Sequence, residues 1–238
     1  MELTYQTLKN ELKTVTLRLS ANLSSLDKFY SDKHKPLHKD YMVFKKLWNS
    51  KLAQELFRPR AVAKRLTPRE ISEFGFDMGS EILGHAEKVY AIVWTLGGTL
   101  GLRVEQLASE GKLTQSLLLS VAGSVALRNI RQNIIRWLTD HSRGAVRFLC
   151  AEHYPGLDVF PLKFVPRVLE ITGASSIGVL ANEAYFLSPA TTKCAFFFLG
   201  REARQTRPVR CIPCLYEKCF YWQMGGCHML FLDDSPIH

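Results

Sequence analysis

Residues 88–98 read Lys88-Val89-Tyr90-Ala91-Ile92-Val93-Trp94-Thr95-Leu96-Gly97-Gly98. From Val89 to Thr95 the run is β-branched, aromatic or small, which suits a buried strand, and the paired glycines stop it. Gly97-Gly98-Thr99-Leu100-Gly101 is Gly-rich but lacks the Lys-Ser/Thr pair of a phosphate loop, so it reads as a turn. Downstream, a long helix is predicted from about Thr114 to Thr139. Leu117 to Val121, Val125, Ile130, Ile134 and Leu138 mark its apolar face, and Gly123-Ser124 marks a close backbone approach within it. Gly144 ends that region, and a second short strand is expected from Ala145 to Cys150. Tyr154-Pro155-Gly156 is a turn, and Pro166 to Thr172 a short helix closed by Gly173. Ile177 to Leu187 and Lys193 to Leu199 read as paired strands joined through Ser188-Pro189-Ala190-Thr191.

Upstream, Leu8, Leu12, Val15, Leu19 and Leu23 recur at helical spacing, which predicts an amphipathic helix over residues 1–25. A polar stretch from Ser31 to Lys39 containing Pro36 breaks the pattern before a second helix from about Tyr41 to Leu56. Thr67-Pro68-Arg69-Glu70 carries an N-cap residue, a proline at the first helical position and a glutamate three after the cap, so another helix starts there. Strands and helices mixed without regular β-α-β alternation predict an α+β fold.

The chain has 238 residues, 47% of them hydrophobic, enough to bury a substantial core without metal staples. Its net charge is +9, and residues 1–70 hold 15 Lys/Arg against 7 Asp/Glu, whereas residues 71–238 hold 16 against 15. A basic N-terminal segment of this kind meets an acidic protein partner, nucleic acid or an anionic membrane, or is simply a solvated face. No aromatic-interleaved or motif-bearing nucleic-acid signature accompanies it, so nucleic acid is disfavoured. No apolar stretch reaches the roughly 18 residues that span a bilayer. A secretory signal pattern is also missing, and the cytoplasm is the expected compartment. The six cysteines then read as thiols or metal ligands rather than disulfides.

Four of those cysteines fall in Cys211-Ile-Pro-Cys214-Leu-Tyr-Glu-Lys-Cys219, with Cys227 following after seven residues. Two thiolates separated by two residues reach one metal centre because the turn between them brings both sulfurs to one side. The third and fourth complete the set that a cubane cluster or tetrahedral zinc needs. A zinc ribbon usually pairs two such knuckles across a longer loop, and only the first pair here has that spacing. Irregular spacing, Pro213, nearby aromatics and Gly225-Gly226 favour a [4Fe–4S] cluster, with zinc as the alternative. His228 ranks behind Cys227 as fourth ligand. Tyr216, Phe220, Tyr221 and Trp222 read as packing around the metal, and Cys150 and Cys194, in apolar strands, as packing residues.

From about residue 78 to 220 the order of elements resembles the activation domain of cobalamin-dependent methionine synthase, in its free-standing bacterial form. The carriers are Glu87 to Gly97, the Leu-rich helix with Ala122-Gly123-Ser124, the Tyr154-Pro155-Gly156 turn and Ile177-Gly178-Val179-Leu180-Ala181-Asn182-Glu183. Leu187-Ser188-Pro189-Ala190-Thr191-Thr192-Lys193-Cys194 is similar to the family's Met-x-Pro-x-x-Ser-x-Ser segment. The resemblance implies an activation-domain-like mixed sheet that binds S-adenosylmethionine, with Pro155, Gly156 and Glu183 as cofactor-binding positions. It also implies a corrinoid protein or methyltransferase as partner, whose inert cob(II)alamin is reduced and then trapped by methylation. The chain departs from the pattern at four positions. Glu152 stands where the family has Arg, Leu157 where it has Tyr, Ser120 where it has a helical Asp, and Arg128 where it has an acidic residue. Glu at the Arg position removes a bidentate donor for a ligand carboxylate and repels it.

The expected organisation is a basic helical N-terminal segment (1–75), an activation-domain-like α+β domain (76–205) and a Cys-rich metal-binding segment (206–238). The expected function is reductive activation of a corrinoid protein by an iron–sulfur protein, through electron delivery and S-adenosylmethionine-dependent methylation, with no catalytic residue assigned. The competing expectation is a non-catalytic assembly or partner-binding protein with a structural iron–sulfur or zinc site.

Overall fold

The computed structural model describes residues 4–8, 11–16, 24–35, 37–48, 55–79, 83–142, 146, 148–156 and 160–201. Its centre is a four-stranded antiparallel sheet of β3 (Arg60–Arg65), β4 (Ala86–Thr95), β5 (Phe148–His153) and β8 (Thr192–Gly200), in the order β3-β4-β8-β5. The run from Val89 to Thr95 lies within β4, one of the two inner strands, and is buried from end to end. Helices cover both faces of the sheet, which is why β4 and β8 lack the alternation of a half-wet strand.

The two-residue period of a strand explains the distribution of side chains. Tyr90, Ile92 and Trp94 of β4, with Ala195, Phe197 and Leu199 of β8, point into one core; Val89, Ala91 and Val93, with Cys194, Phe196 and Phe198, point into the other. The triple phenylalanine 196–198 is thereby divided between the two, and each ring contributes on the order of 2–3 kcal/mol of apolar burial. The first core is closed by α1 (Ser24–Phe29), α2 (His38–Trp48), α4 (Thr99–Ser109) and the 29-residue α5 (Leu113–His141). The second is closed by α6 (Val165–Thr172) and an aromatic group in which Phe76 stacks on Phe160 at 5.0 Å and meets Phe198 edge-on. Its far edge carries a two-stranded ribbon, β6 (Leu180–Ala181) and β7 (Leu187–Ser188).

Several expectations hold in detail. α3 (Pro68–Glu73) begins at a complete capping box, with Thr67 as cap, Pro68 at the first turn and Glu70 bonding back. Gly123 lies where a Cβ would fall 2.7 Å from Leu100, so α4 and α5 approach closely there. Gly173 closes α6 in the left-handed conformation, at φ 65°.

Other expectations are corrected. In place of a helix over residues 1–25, β1 (Thr4–Leu8) and β2 (Glu11–Thr16) form an antiparallel hairpin with Leu8 opposite Glu11, and β2 runs beside β3. Thr4, Tyr5, Thr7, Thr14, Val15 and Thr16 give that stretch the β-branched and aromatic content of strands, and this outweighs the leucine spacing. The second helix starts at His38 rather than Tyr41. β3 pairs along its length with β4, so the central sheet takes a strand from before residue 76. The strand expected over Ala145 to Cys150 runs instead from Phe148 to His153. Ile177 to Leu187 is not one strand paired with β8: within it Leu180–Ala181 is extended and pairs with Leu187–Ser188 of β7, while β8 lies between β4 and β5. The turn at Gly97-Gly98 leads directly into α4, which was not expected. Among the described residues, no helix is long and apolar enough to cross a membrane.

Candidate functional site

The registers gather the positions marked by the sequence at one end of the sheet. Thr95 of β4 pairs with Thr192 of β8, and His153 of β5 with Phe196. The chain leaving β5 through Tyr154-Pro155-Gly156 therefore runs toward the same end as the Leu96-Gly97-Gly98 turn and the start of β8. Threonine hydroxyls, those of Thr95 and Thr192 buried, lock this end: Thr192 Oγ1 donates to Thr95 Oγ1 at 2.8 Å, Gly97 N donates to Thr95 Oγ1 at 3.0 Å, and Thr191 Oγ1 donates to the Gly97 carbonyl at 2.7 Å. Gly156, at φ 83°, donates its N–H to the Phe160 carbonyl at 2.8 Å, and a Cβ there would fall 2.7 Å from Leu162. Pro155 and Gly156 thus form a tight turn over Leu162.

The charged centre of this end is Glu152. Arg131, projecting from α5, grips the carboxylate with Nε donating to Oε2 at 2.8 Å and Nη2 donating to Oε1, and Tyr154 OH donates to Oε2 at 2.8 Å. The side chains of Arg131 and Glu152 are only 15% and 5% exposed, so this is a buried bidentate ion pair rather than a surface contact. Burial works to lower the Arg131 pKa, but the bonded carboxylate outweighs it and the net shift is upward. Burial, reinforced by the Glu152 carboxylate, raises the Tyr154 phenol well above its ordinary value. Arg131 therefore stays positive and Tyr154 neutral, and neither serves as a proton donor near neutrality. Trp94 packs edge-on against Tyr154 at 6.2 Å and donates its indole N–H to the Leu127 carbonyl at 3.1 Å, tying β4 to α5 beside the pair. Arg128, one turn before Arg131, is also buried.

Glu183 is placed differently. It is exposed, in the tip of the β6–β7 ribbon, where Asn182 Oδ1 accepts from Ala184 N at 3.0 Å and Phe186 N at 2.9 Å. That Asx-type turn holds Tyr185 at φ 66° and leaves Phe186 63% exposed. Ser188-Pro189 is a cis peptide, and Pro189 lies against Gly98, so the base of the ribbon joins the sheet end while its tip stands out.

Cys211, Cys214, Cys219, Cys227 and His228 lie outside the described residues. Cys150 and Cys194 are buried, as expected of packing residues, and burial pushes the Cys194 thiol up to about 12, which keeps it protonated and unreactive. Among the described residues, no group of three or more His, Cys, Asp or Glu side chains is arranged to hold a metal ion. Arg131 was not anticipated. The signal available was two arginines three apart inside the apolar run of a long helix, which implies a buried acidic partner on a facing element.

No family model matches the chain, and no curated protein matches it. Among solved structures it is similar to the crystal structure of the MetH reactivation domain bound to AdoHcy, with a TM-score of 0.54 and 11% identity over 74% of this chain and 70% of that one. At that identity the likeness is one of fold: the α+β architecture seen here, a four-stranded antiparallel sheet between helices, matches that domain at the level of overall fold.

Proposed function

We propose that this protein acts in the reductive activation of a corrinoid protein, delivering an electron from an iron–sulfur cluster held by Cys211, Cys214, Cys219 and Cys227. The observation that carries this reading is the likeness of fold to the MetH reactivation domain across most of the chain, joined to the four-thiolate spacing that follows the fold. Bound by those thiolates, a [4Fe–4S] cluster supplies one electron at low potential. That electron would serve to reduce the cob(II)alamin of a partner, and a low-potential one-electron donor protein would re-reduce the thiolate-held group.

The reading does not extend to methylation from S-adenosylmethionine. Glu152 at the position expected to bind the ligand carboxylate is negative, buried and fully engaged by Arg131 and Tyr154. Opening that pair to admit a ligand would leave a buried charge unpaired, at a cost of about 3–5 kcal/mol. The remaining positions, Pro155, Gly156 and Glu183, offer a turn and one exposed carboxylate, which is too little to hold the ligand. Activation on this reading is by electron transfer without a methyl trap.

The test is iron and sulfide analysis with EPR on anaerobically purified protein and on Cys214→Ala, together with optical measurement of cob(II)alamin reduction on a corrinoid protein. Iron and sulfide in cluster stoichiometry, loss of the EPR signal in the variant, and cobalt reduction faster than with the electron donor alone are the expected results. Stoichiometric zinc without iron would overturn electron delivery and leave a structural metal site.

A further inference from the structure

Helix α2 has two faces of different character. Tyr41 and Phe44 face inward: Tyr41 stacks on Tyr30 at 4.5 Å and its hydroxyl donates to Asp27 at 2.9 Å, and Asp27 also holds Lys45 at 2.8 Å. The outward stripe, at spacings i, i+3, i+4 and i+7, is Lys39, Met42, Val43 and Lys46, all exposed, with Met42 at 44% and Val43 at 55%. An ordinary surface helix turns such apolar residues inward. Here an apolar pair sits in the middle of the outward face with an ammonium group one turn away on each side. The turn that precedes the helix adds exposed Lys33 and Lys35. Residues 24–46 hold six lysines, no arginine and three aspartates. Of the aspartates, Asp27 is tied to Lys45 and Tyr41, Asp32 accepts from the His34 N–H, and Asp40 is exposed on the flank of the stripe. The face is basic on balance.

We infer that this stripe is a docking surface for an acidic protein face, an apolar contact at Met42 and Val43 ringed by carboxylates that meet Lys33, Lys35, Lys39 and Lys46. The occupant is the corrinoid-bearing partner, an identification that rests on the reading under Proposed function. The chemistry selects a protein over the other anionic surfaces. Nucleic acid is bound through stacking aromatics and arginine forks, and here Tyr30, Tyr41 and Phe44 are buried and arginine is lacking from the segment. A membrane-bound helix needs a broad apolar face, and among the described side chains of α2 the exposed apolar ones are the adjacent Met42 and Val43, while Tyr41 and Phe44 are committed to the core. A small apolar centre within a basic rim fits the anatomy of a transient complex, in which charge steers association and sets register.

The experiment is a direct titration of the full chain against a cob(II)alamin-loaded corrinoid protein, by calorimetry at low and at moderate salt. The variants are K39E/K46E and M42S/V43S, with K163E as a charge-reversal control on an exposed position remote in sequence; circular dichroism verifies folding. Binding by wild type that weakens with salt, weakens about tenfold in K39E/K46E and severalfold in M42S/V43S, and is unchanged in K163E is the expected result. Failure of wild type to bind, equal binding by all variants, or variant-sensitive binding to phosphatidylglycerol vesicles or single-stranded DNA in place of the protein would each overturn the assignment. Binding with the expected pattern but without cobalt reduction leaves the docking surface standing and removes the electron-transfer reading instead.

Discussion

Glu152 and Glu183 lie on the same stretch of chain after α5, and both fall where the sequence resemblance marks a ligand-binding position. The fold treats them differently. Glu152 is enclosed by the sheet and α5, with both carboxylate oxygens engaged by Arg131 and one also by Tyr154. Glu183 stands at an exposed ribbon tip, where the structure is shaped by Asn182 beside it. A carboxylate within a satisfied buried network is part of the scaffold, whereas an exposed one contributes little to folding and keeps its bonding capacity for another molecule. This contrast is why the proposed function runs through electron delivery and a docking surface rather than through ligand chemistry at Glu152.

The largest expected effect breaks the buried side of the comparison. Glu152→Ala removes the carboxylate that neutralises the buried Arg131 guanidinium, and should cost about 3–5 kcal/mol in urea-denaturation stability. The double variant Arg131→Met/Glu152→Leu removes both charges, and should recover most of that loss because two apolar side chains of similar bulk need no partner. If Glu152→Ala unfolds with the wild-type midpoint, the pair is solvated and Glu152 is open to a ligand. A smaller loss, about 1–3 kcal/mol, is expected from Gly123→Val. The new side chain meets Leu100 and pushes apart α4 and α5, the helix that carries Arg131.

Legibility in the sequence followed the range of the forces involved. The capping box at Thr67 to Glu70, the Gly173 cap and the buried strand at Val89 to Thr95 were readable because each is fixed by residues within a few positions of one another. The partners of β8 were not, since the choice of β4 and β5 over the 177–187 segment is made by two cores that assemble only when α5 and α6 close on the sheet. The hairpin at 4–16 reversed its helix reading because leucine spacing of three and four competes with β-branched content, and a neighbouring strand decides the outcome. In the site, Glu152 was visible as a departure from the family pattern, but its partner, 21 residues earlier on another element, was not.

Glu70 is the intermediate case. Burial raises its pKa, but bonds from Lys64, Thr67 N and Thr67 Oγ1 outweigh this, and the net shift is downward. A depressed carboxylate contributes stability that is present above its unfolded pKa and is lost as pH falls through the lower folded value. Stability should therefore decline with acidification below the ordinary carboxylate range, and Glu70→Gln should flatten that decline. Thr67→Ala, which removes the cap, should cost about 1 kcal/mol at neutral pH, read from the thermal midpoint.

The smallest effect belongs to Glu183. With its side chain in solvent and the turn held by Asn182, Glu183→Gln should change stability by less than about 0.5 kcal/mol. Asn182→Ala, which removes the acceptor for the Ala184 and Phe186 N–H groups, should have the larger effect although the two residues are adjacent. Urea denaturation of the two variants side by side decides the matter. A loss at Glu183→Gln equal to that at Asn182→Ala would mean that the carboxylate supports the ribbon, and the contrast with Glu152 would then be one of degree. A silent Glu183→Gln keeps it as a group free to meet another molecule, because nothing in the fold depends on its charge.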